Sequence, residues 1–280
     1  MIKILAGAFV IILATNAFRF AQQPPEYAKQ TPSPRQPQTQ ISPVKEYEVP
    51  YDLFRIVPVR VHLLRNSTVA AAVSKLTIED IKRIFRKANQ IWHPAGVHLW
   101  VESIVEETPI KVDGLDRLDS IPEETLPQLR PETTIKKGGM NVYYIGNMKP
   151  NGIFMGRDSI FVKDSARLKE VKGGLEEPLP RVTAHELGHA MGLPHRQDRV
   201  NLMSSGTTGT GLNSAEIERV TFVIRSIPWA KSPKEFLSET EELLHLGKTQ
   251  EAISRYKTLL ETPGNSATKS LAQDSMRRVK

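Results

Sequence analysis

Three of the seven histidines in this chain fall within one short run, His185-Glu186-Leu187-Gly188-His189-Ala190-Met191-Gly192-Leu193-Pro194-His195. That run constrains the fold more than any other feature. His185 and His189 are four residues apart, so on a helix they share one face, one turn from each other. Two imidazole nitrogens placed this way can hold one zinc ion at about 2.0–2.1 Å. Gly192 permits a sharp turn that ends the helix, because it can take a positive φ without a Cβ clash. The chain then folds back and offers His195 as a third ligand. Three neutral imidazoles leave a fourth position open to water, which marks a catalytic rather than a structural zinc site. Glu186, beside the first ligand, is the candidate general base. A surface helix that is merely rich in histidine does not explain Glu186, Gly192 and Met203 together.

The string reads H-E-x-x-H-x-x-G-x-x-H and resembles the signature of the metzincin zinc metalloproteases. Met203, in Asn201-Leu202-Met203, stands eight residues after His195, where metzincins place the methionine of their Met-turn. The run from Gly211 to Ile217 resembles the start of the helix that closes their lower subdomain. The likeness is confined to residues 180–227. It implies an α+β fold: a twisted mixed sheet with helices, and a small lower subdomain after the zinc helix. It implies one catalytic Zn²⁺ on His185, His189 and His195, with Glu186 catalytic. Met203 is implied as a hydrophobic floor and not a ligand, so Met203 and Gly192 are structural supports. An extended substrate peptide is expected to pair with an edge strand at Gly152–Val162. The loop Ser204–Gly211 is expected to form a pocket wall, and its serine, threonine and glycine content suggests mobility. Two positions depart from the known subfamilies. Arg196 follows the third histidine, and Ser205 stands where a tyrosine could offer a fifth ligand, so the subfamily stays unassigned.

The chain has 280 residues, a formal net charge of +7 and no cysteine. Residues 1–21 read as a signal peptide, with Lys3, an apolar run Ile4–Ala14, and cleavage after Ala17 or Ala21. A secreted, periplasmic or cell-envelope location is therefore expected. The apolar run is short for a permanent anchor, so membrane contact is expected only if the segment is retained. Residues 22–50 are rich in proline and glutamine and read as an extended linker. Without cysteine, stability must come from packing and metal, and no propeptide thiolate is available for a matrixin-type latency switch. Basic clusters occur at Lys82, Arg83, Arg86 and Lys87 and at Arg277-Arg278-Val279-Lys280. The aromatic residue among them, Phe85, belongs to the apolar face of a predicted helix, so the charges read as solvated faces and no nucleic-acid partner is expected.

Residues 51–228 are expected to form the catalytic domain. Alternation predicts a strand at Val57–Leu63, Val97, Leu99 and Val101 give a second, and the apolar runs Val142–Ile145 and Ile160–Val162 give two more. Thr77 and Asp80 suggest a capping box, and Ile78, Ile81, Phe85, Ala88 and Trp92 recur at helical spacing. Further helices are predicted at Leu179–Leu193 and Ser214–Ile227, and a short one near Glu123–Leu129 in the long connection Pro109–Lys137. His62, His93 and His98 form no spaced cluster with acidic residues. Asp158 and Asp164 flank a strand without EF-hand spacing, so Ca²⁺ is not predicted, backbone carbonyls being the remaining route. In residues 229–280, helices Phe236–Leu246 and Thr249–Glu261 resemble a single tetratricopeptide hairpin. One copy cannot bury a core alone, so it is expected to dock on the catalytic domain or on a partner protein. His245 on that hairpin reads as a packing or surface residue. The leading reading is a secreted zinc-dependent endopeptidase acting on protein or peptide substrates. The alternative is a non-proteolytic zinc-binding or envelope-associated interaction protein.

Overall fold

The ten-residue strand β1 (Arg55–Leu64) is buried along almost its whole length. Its valines Val57, Val59 and Val61 point into one apolar core, while Ile56 and Leu64 enter two others. β1 is a central strand although its sequence alternates, because the face opposite the valines is closed too: Pro58 is buried, and His62 is buried with both ring nitrogens bonded, to Glu107 and Asn141. The computed structural model describes residues 49–279 apart from 66, 113, 157 and 158. The signal segment, nearly all of the proline-rich linker, Asp158 and Lys280 lie outside the described residues.

The sheet has five strands in the order β2-β1-β3-β5-β4. Strands β2 (Val97–Glu107), β3 (Met140–Ile145) and β5 (Ser159–Lys163) run parallel to their neighbours in the β2-β1-β3-β5 portion. Only β4 (Gly152–Phe154) is antiparallel, paired with β5 through Ile153 and Phe161. The single edge strand expected over Gly152–Val162 is therefore two strands. Gly156 takes φ +77° and turns the chain between them, so β5 lies inside the sheet and β4 forms the edge on that side.

Helix α1 (Ile78–Trp92) starts at the Thr77/Asp80 capping box. Its buried face is Ile81, Ile84, Phe85, Ala88, Ile91 and Trp92. Ile78, the first residue of the helix, does not join that face; it is half exposed, at 50%. Helices α1 and α2 (Pro178–Ala190) pack together over one face of the sheet, in the core that holds Val142, Tyr144 and Ile160. The long connection 109–137 covers the other face. Its Leu115, Ile121, Leu126 and Leu129 bury against Tyr143, Ile145 and Phe161, and its helix at Glu123–Leu129 is of the 3₁₀ type.

After α3 (Ser214–Ser226) the chain adds three helices, α4 (Pro233–His245), α5 (Thr249–Glu261) and α6 (Ala267–Val279). The third escaped the sequence reading because its apolar positions are sparse, Ala272 and Met276 being the main buried ones. The three helices bury Phe236, Tyr256, Leu259, Ala272 and Met276 against Ile56 and Trp100 of the sheet. The Arg255 guanidinium lies 4.7 Å from the Phe236 ring centroid and 5.1 Å from that of Trp100. The Tyr51 hydroxyl donates to the Leu259 carbonyl at 2.7 Å. Among the described residues no helix is long and apolar enough to cross a membrane.

Candidate metal centre and its supports

Helix α2 ends at Ala190, three residues before the expected Leu193. Gly192 takes φ +85°. The Leu193 N–H bonds back to the Gly188 carbonyl at 2.9 Å and the Gly192 N–H to the His189 carbonyl at 3.0 Å. This is a Schellman motif, and it satisfies carbonyls that a helix end otherwise leaves unpaired. The reversal returns the chain over the helix end and brings His195 to the two helical histidines.

The three imidazoles converge. Their ring centroids are 4.8 Å apart for His185–His189, 5.3 Å for His185–His195 and 4.5 Å for His189–His195. One ring nitrogen from each lies within 4.8 Å of the others, so the group could hold a metal ion. Nε2 of His189 and Nε2 of His195 are 3.1 Å apart, close to the roughly 3.3 Å that two nitrogens span on one tetrahedral zinc. Nδ1 of His185 lies 2.8 Å from the Leu202 carbonyl, and Nδ1 of His189 lies 2.7 Å from the Leu193 carbonyl. A carbonyl oxygen only accepts, so both Nδ1 atoms carry the proton and both Nε2 atoms keep a free lone pair. Such anchoring sets the tautomer and ring orientation that a metal ligand needs. Burial holds the His185 pKa down at about 3 and also lowers that of His189. Both rings are thus neutral, the form that binds a metal. The donor set fits one zinc ion.

Glu186 is buried beneath β4. Burial pushes its pKa up to about 8, against the opposing pull of Arg181 and of the Phe154 N–H. A dication close by would lower it again. A Cβ on Gly152 would come within 2.7 Å of Glu186 Oε1, so the edge strand closes over this carboxylate only because Gly152 has no side chain.

Met203 is completely buried in the core that contains Trp92. A Cβ on Gly188 would lie 2.6 Å from its sulfur. Gly188 therefore lets the methionine press against α2 between the turns that carry His185 and His189.

The sequence reading missed Arg181. It is 1% exposed, yet its guanidinium donates to three carbonyls of the turn below: Leu202 at 2.6 Å, Gly209 at 3.1 Å, and Ser204. Leu202 thus accepts from both Arg181 and His185. Burial lowers the Arg181 pKa to about 10, leaving it charged at neutral pH. The available signal was an arginine among the apolar positions Leu179, Val182 and Leu187 of one helix.

Glu216, in the first turn of α3, is also buried. One oxygen accepts from Arg196 Nε at 2.8 Å. The other accepts from Asn201 Nδ2 at 2.8 Å and from the Asn213 N–H at 2.9 Å. The Arg196 N–H donates to the Met203 carbonyl at 2.9 Å, and the Met203 N–H donates to Asn201 Oδ1 at 2.7 Å. These bonds close a ring that ties the residue after His195 to the turn that carries Met203.

The loop Ser204–Gly211, expected to be mobile, is pinned along its length. Lys169 N–H donates to Gly206, Thr208 N–H to Lys169, and Leu175 N–H to Thr208, at 2.8–3.0 Å. Thr208 Oγ1 accepts from the Val171 N–H at 2.9 Å. Composition suggested looseness, but a neighbouring segment supplies the partners. His62 also differs from expectation: it meets an acidic side chain across the sheet, with Nδ1 2.9 Å from Glu107 and Nε2 3.1 Å from Asn141. Asp164 accepts from the Ser74 hydroxyl and the Lys75 N–H, holding the 74–76 segment.

No family model matches the chain, and no curated protein matches it. Among solved structures it is similar to archaemetzincin from Methanopyrus kandleri, at 13% identity and TM-score 0.43, covering 63% of this chain and 99% of that one. It is also similar to metalloproteinase-II from Bacteroides fragilis, at 12% identity and TM-score 0.40, covering 63% of this chain and 55% of that one. The chain thus spans about half the length of the second.

Proposed function

We propose that this protein is a zinc-dependent endopeptidase. The observation that carries the reading is the convergence of His185, His189 and His195, two of them with Nδ1 committed to a carbonyl. These three residues would hold the ion. When bound, zinc supplies Lewis-acid polarisation of the scissile carbonyl and acidification of water. Glu186 takes a proton from the attacking water and delivers it to the leaving amine. The closure of β4 over Glu186 keeps the carboxylate out of bulk water. Among the described residues β4 has a sheet neighbour on one side only, and a substrate strand can pair along its other side. Met203 and Gly192 support the ligands. The amino-terminal sequence, with Lys3 and the apolar run Ile4–Ala14, supports export to the envelope or the medium.

The test is metal content and peptidase activity measured on the same samples. Wild-type protein should carry about one zinc per chain and cleave a quenched peptide, with loss under a chelator. His189→Ala should lose both metal and activity. Glu186→Ala should keep the metal and lose about 10²–10⁴-fold in turnover. Full proteolysis by Glu186→Ala would end this reading.

A further inference from the structure

A groove separates α1 from α5 along the free edge of β2, enclosing about 680 Å³. One wall is a stripe of α1, with Lys82, Arg86 and Gln90 spaced four apart on one helical face. The other wall is a stripe of α5, with Ser254, Lys257 and Glu261. Leu99 and Trp100 of β2 lie between them. Two elements far apart in sequence thus turn cations toward one cavity, against one carboxylate. Lys82 is bridged to Glu79 of its own helix at 2.7 Å. Among the described residues, neither Arg86 nor Lys257 has an ion-pair partner.

His98 lines the same cavity at 5% exposure and, among the described residues, has no side-chain hydrogen-bond partner. A polar side chain this buried is normally paired; the ring nitrogens of His98 are not fully buried and so stay open to solvent or to a ligand in the groove. Burial, and then the charge of Lys269, holds its pKa down at about 4. It is therefore a neutral imidazole at pH 7, with one N–H to donate.

The kind of ligand follows from what is already occupied. The Leu99 N–H donates to Asn89 Oδ1 at 2.7 Å, and Asn89 Nδ2 donates to the Leu99 carbonyl at 3.1 Å. The strand edge is capped there, so recognition must run through side chains rather than strand addition. The aromatic residues of the lining, Phe85 and Trp100, are buried at 3% and 7% exposure, which leaves no platform for stacking bases. Carboxylates on a polypeptide fit these groups better than a nucleic acid does.

We propose that the groove between α1 and α5 binds an acidic segment of a partner protein, its carboxylates seated on Arg86, Lys257 and the imidazole of His98. The appended helices then have a defined task, because α5 builds half of the site. The inference does not depend on peptidase activity, since its readout is binding.

The probe is a fluorescein-labelled decapeptide of alternating glutamate and glycine, titrated with the full chain by fluorescence anisotropy. Binding should weaken steeply from about 50 to 500 mM salt, as screening demands. Arg86→Glu/Lys257→Glu should weaken it by at least about tenfold, or 1.4 kcal/mol. Lys137→Glu/Lys172→Glu, which changes net charge equally at exposed positions outside the groove, should weaken it less than about twofold. His98→Phe, with an unchanged circular dichroism spectrum, should also weaken it, by about threefold or more. Equal loss in the two double variants would overturn the proposal, as would no binding below about 1 mM at low salt. Tighter binding of a labelled oligothymidylate than of the peptide would overturn it in favour of a nucleic-acid partner.

Discussion

Gly188 and Met203 are in such close contact that a single added carbon on the glycine would sit 2.6 Å from the methionine sulfur. A glycine inside a helix costs about 1 kcal/mol relative to alanine, so its presence there needs a packing reason. Here the reason is the methionine beneath the candidate metal centre.

Gly188→Ala should therefore destabilise the protein despite its better helix propensity. Overpacking of a closed core costs about 1–3 kcal/mol, which outweighs the gain. Denaturant unfolding should show a net loss of about 1–2 kcal/mol. In a double-mutant cycle with Met203→Ala the two losses should be less than additive, because the second change relieves the first. Strict additivity would show that the two side chains do not press on each other.

Arg181→Met should be more damaging. It strands the buried Gly209 and Ser204 carbonyls, each costing about 1–3 kcal/mol when unsatisfied, while the Leu202 carbonyl keeps the His185 Nδ1–H. It also removes the donor that fixes the Leu202 carbonyl against which His185 is oriented, and disturbing such an outer-shell partner lowers metal affinity by about 10–100-fold. Competition with a chromogenic chelator measures the second effect separately from urea unfolding, which measures the first. Unchanged zinc affinity would limit Arg181 to a structural role.

Glu216 and Arg196 form one ion pair but should not respond equally. The Arg196 side chain is 41% exposed and the Glu216 side chain is 0% exposed. Removing the arginine leaves Glu216 with its bonds to Asn201 and Asn213, and the exposed end of such a pair is worth about 0–1 kcal/mol. Removing the carboxylate strands several donors at once. Glu216→Ala should lose about 2–4 kcal/mol and Arg196→Ala no more than about 1 kcal/mol. Thermal or urea unfolding of the two variants in parallel tests this; equal losses would contradict it.

His98 should give the protein an acid-labile component. Its folded pKa is about 4, against an ordinary value of 6.5. Between those values the unfolded chain binds more protons than the folded one, so stability falls as pH drops from 6.5 toward 4. The full shift corresponds to at most about 3 kcal/mol. A pH series of unfolding free energies should be steeper for wild type than for His98→Gln across that window, and parallel above pH 7. Parallel curves throughout would show that the ring does not titrate differently on folding.

Much of the site was legible because its information is local. The spacing of His185 and His189 sets one face of a helix, and Gly192 sets the reversal that returns His195. The alternating strand at Val57–Leu63, the apolar run Val142–Ile145 and the Thr77 cap were equally local, each read from a few neighbouring residues. Failures came where partners lie far apart in the chain. Ser204–Gly211 looked loose because its partners at 169–175 belong to another segment. His62 looked isolated because Glu107 meets it only across two paired strands.

Taken alone, the sequence determined the candidate histidine triad, the glycine that closes it and the central strands, since each depends on residues within a turn or a strand of one another. Tertiary structure decided the rest: that Arg181 and His185 share one carbonyl, that Glu216 ties Arg196 to Asn201, and that α5 faces α1 across a basic groove. Those relationships need the entropy of closing long loops to be overcome by burial of a common core. Spacing along the chain carries no record of which distant groups that burial brings together.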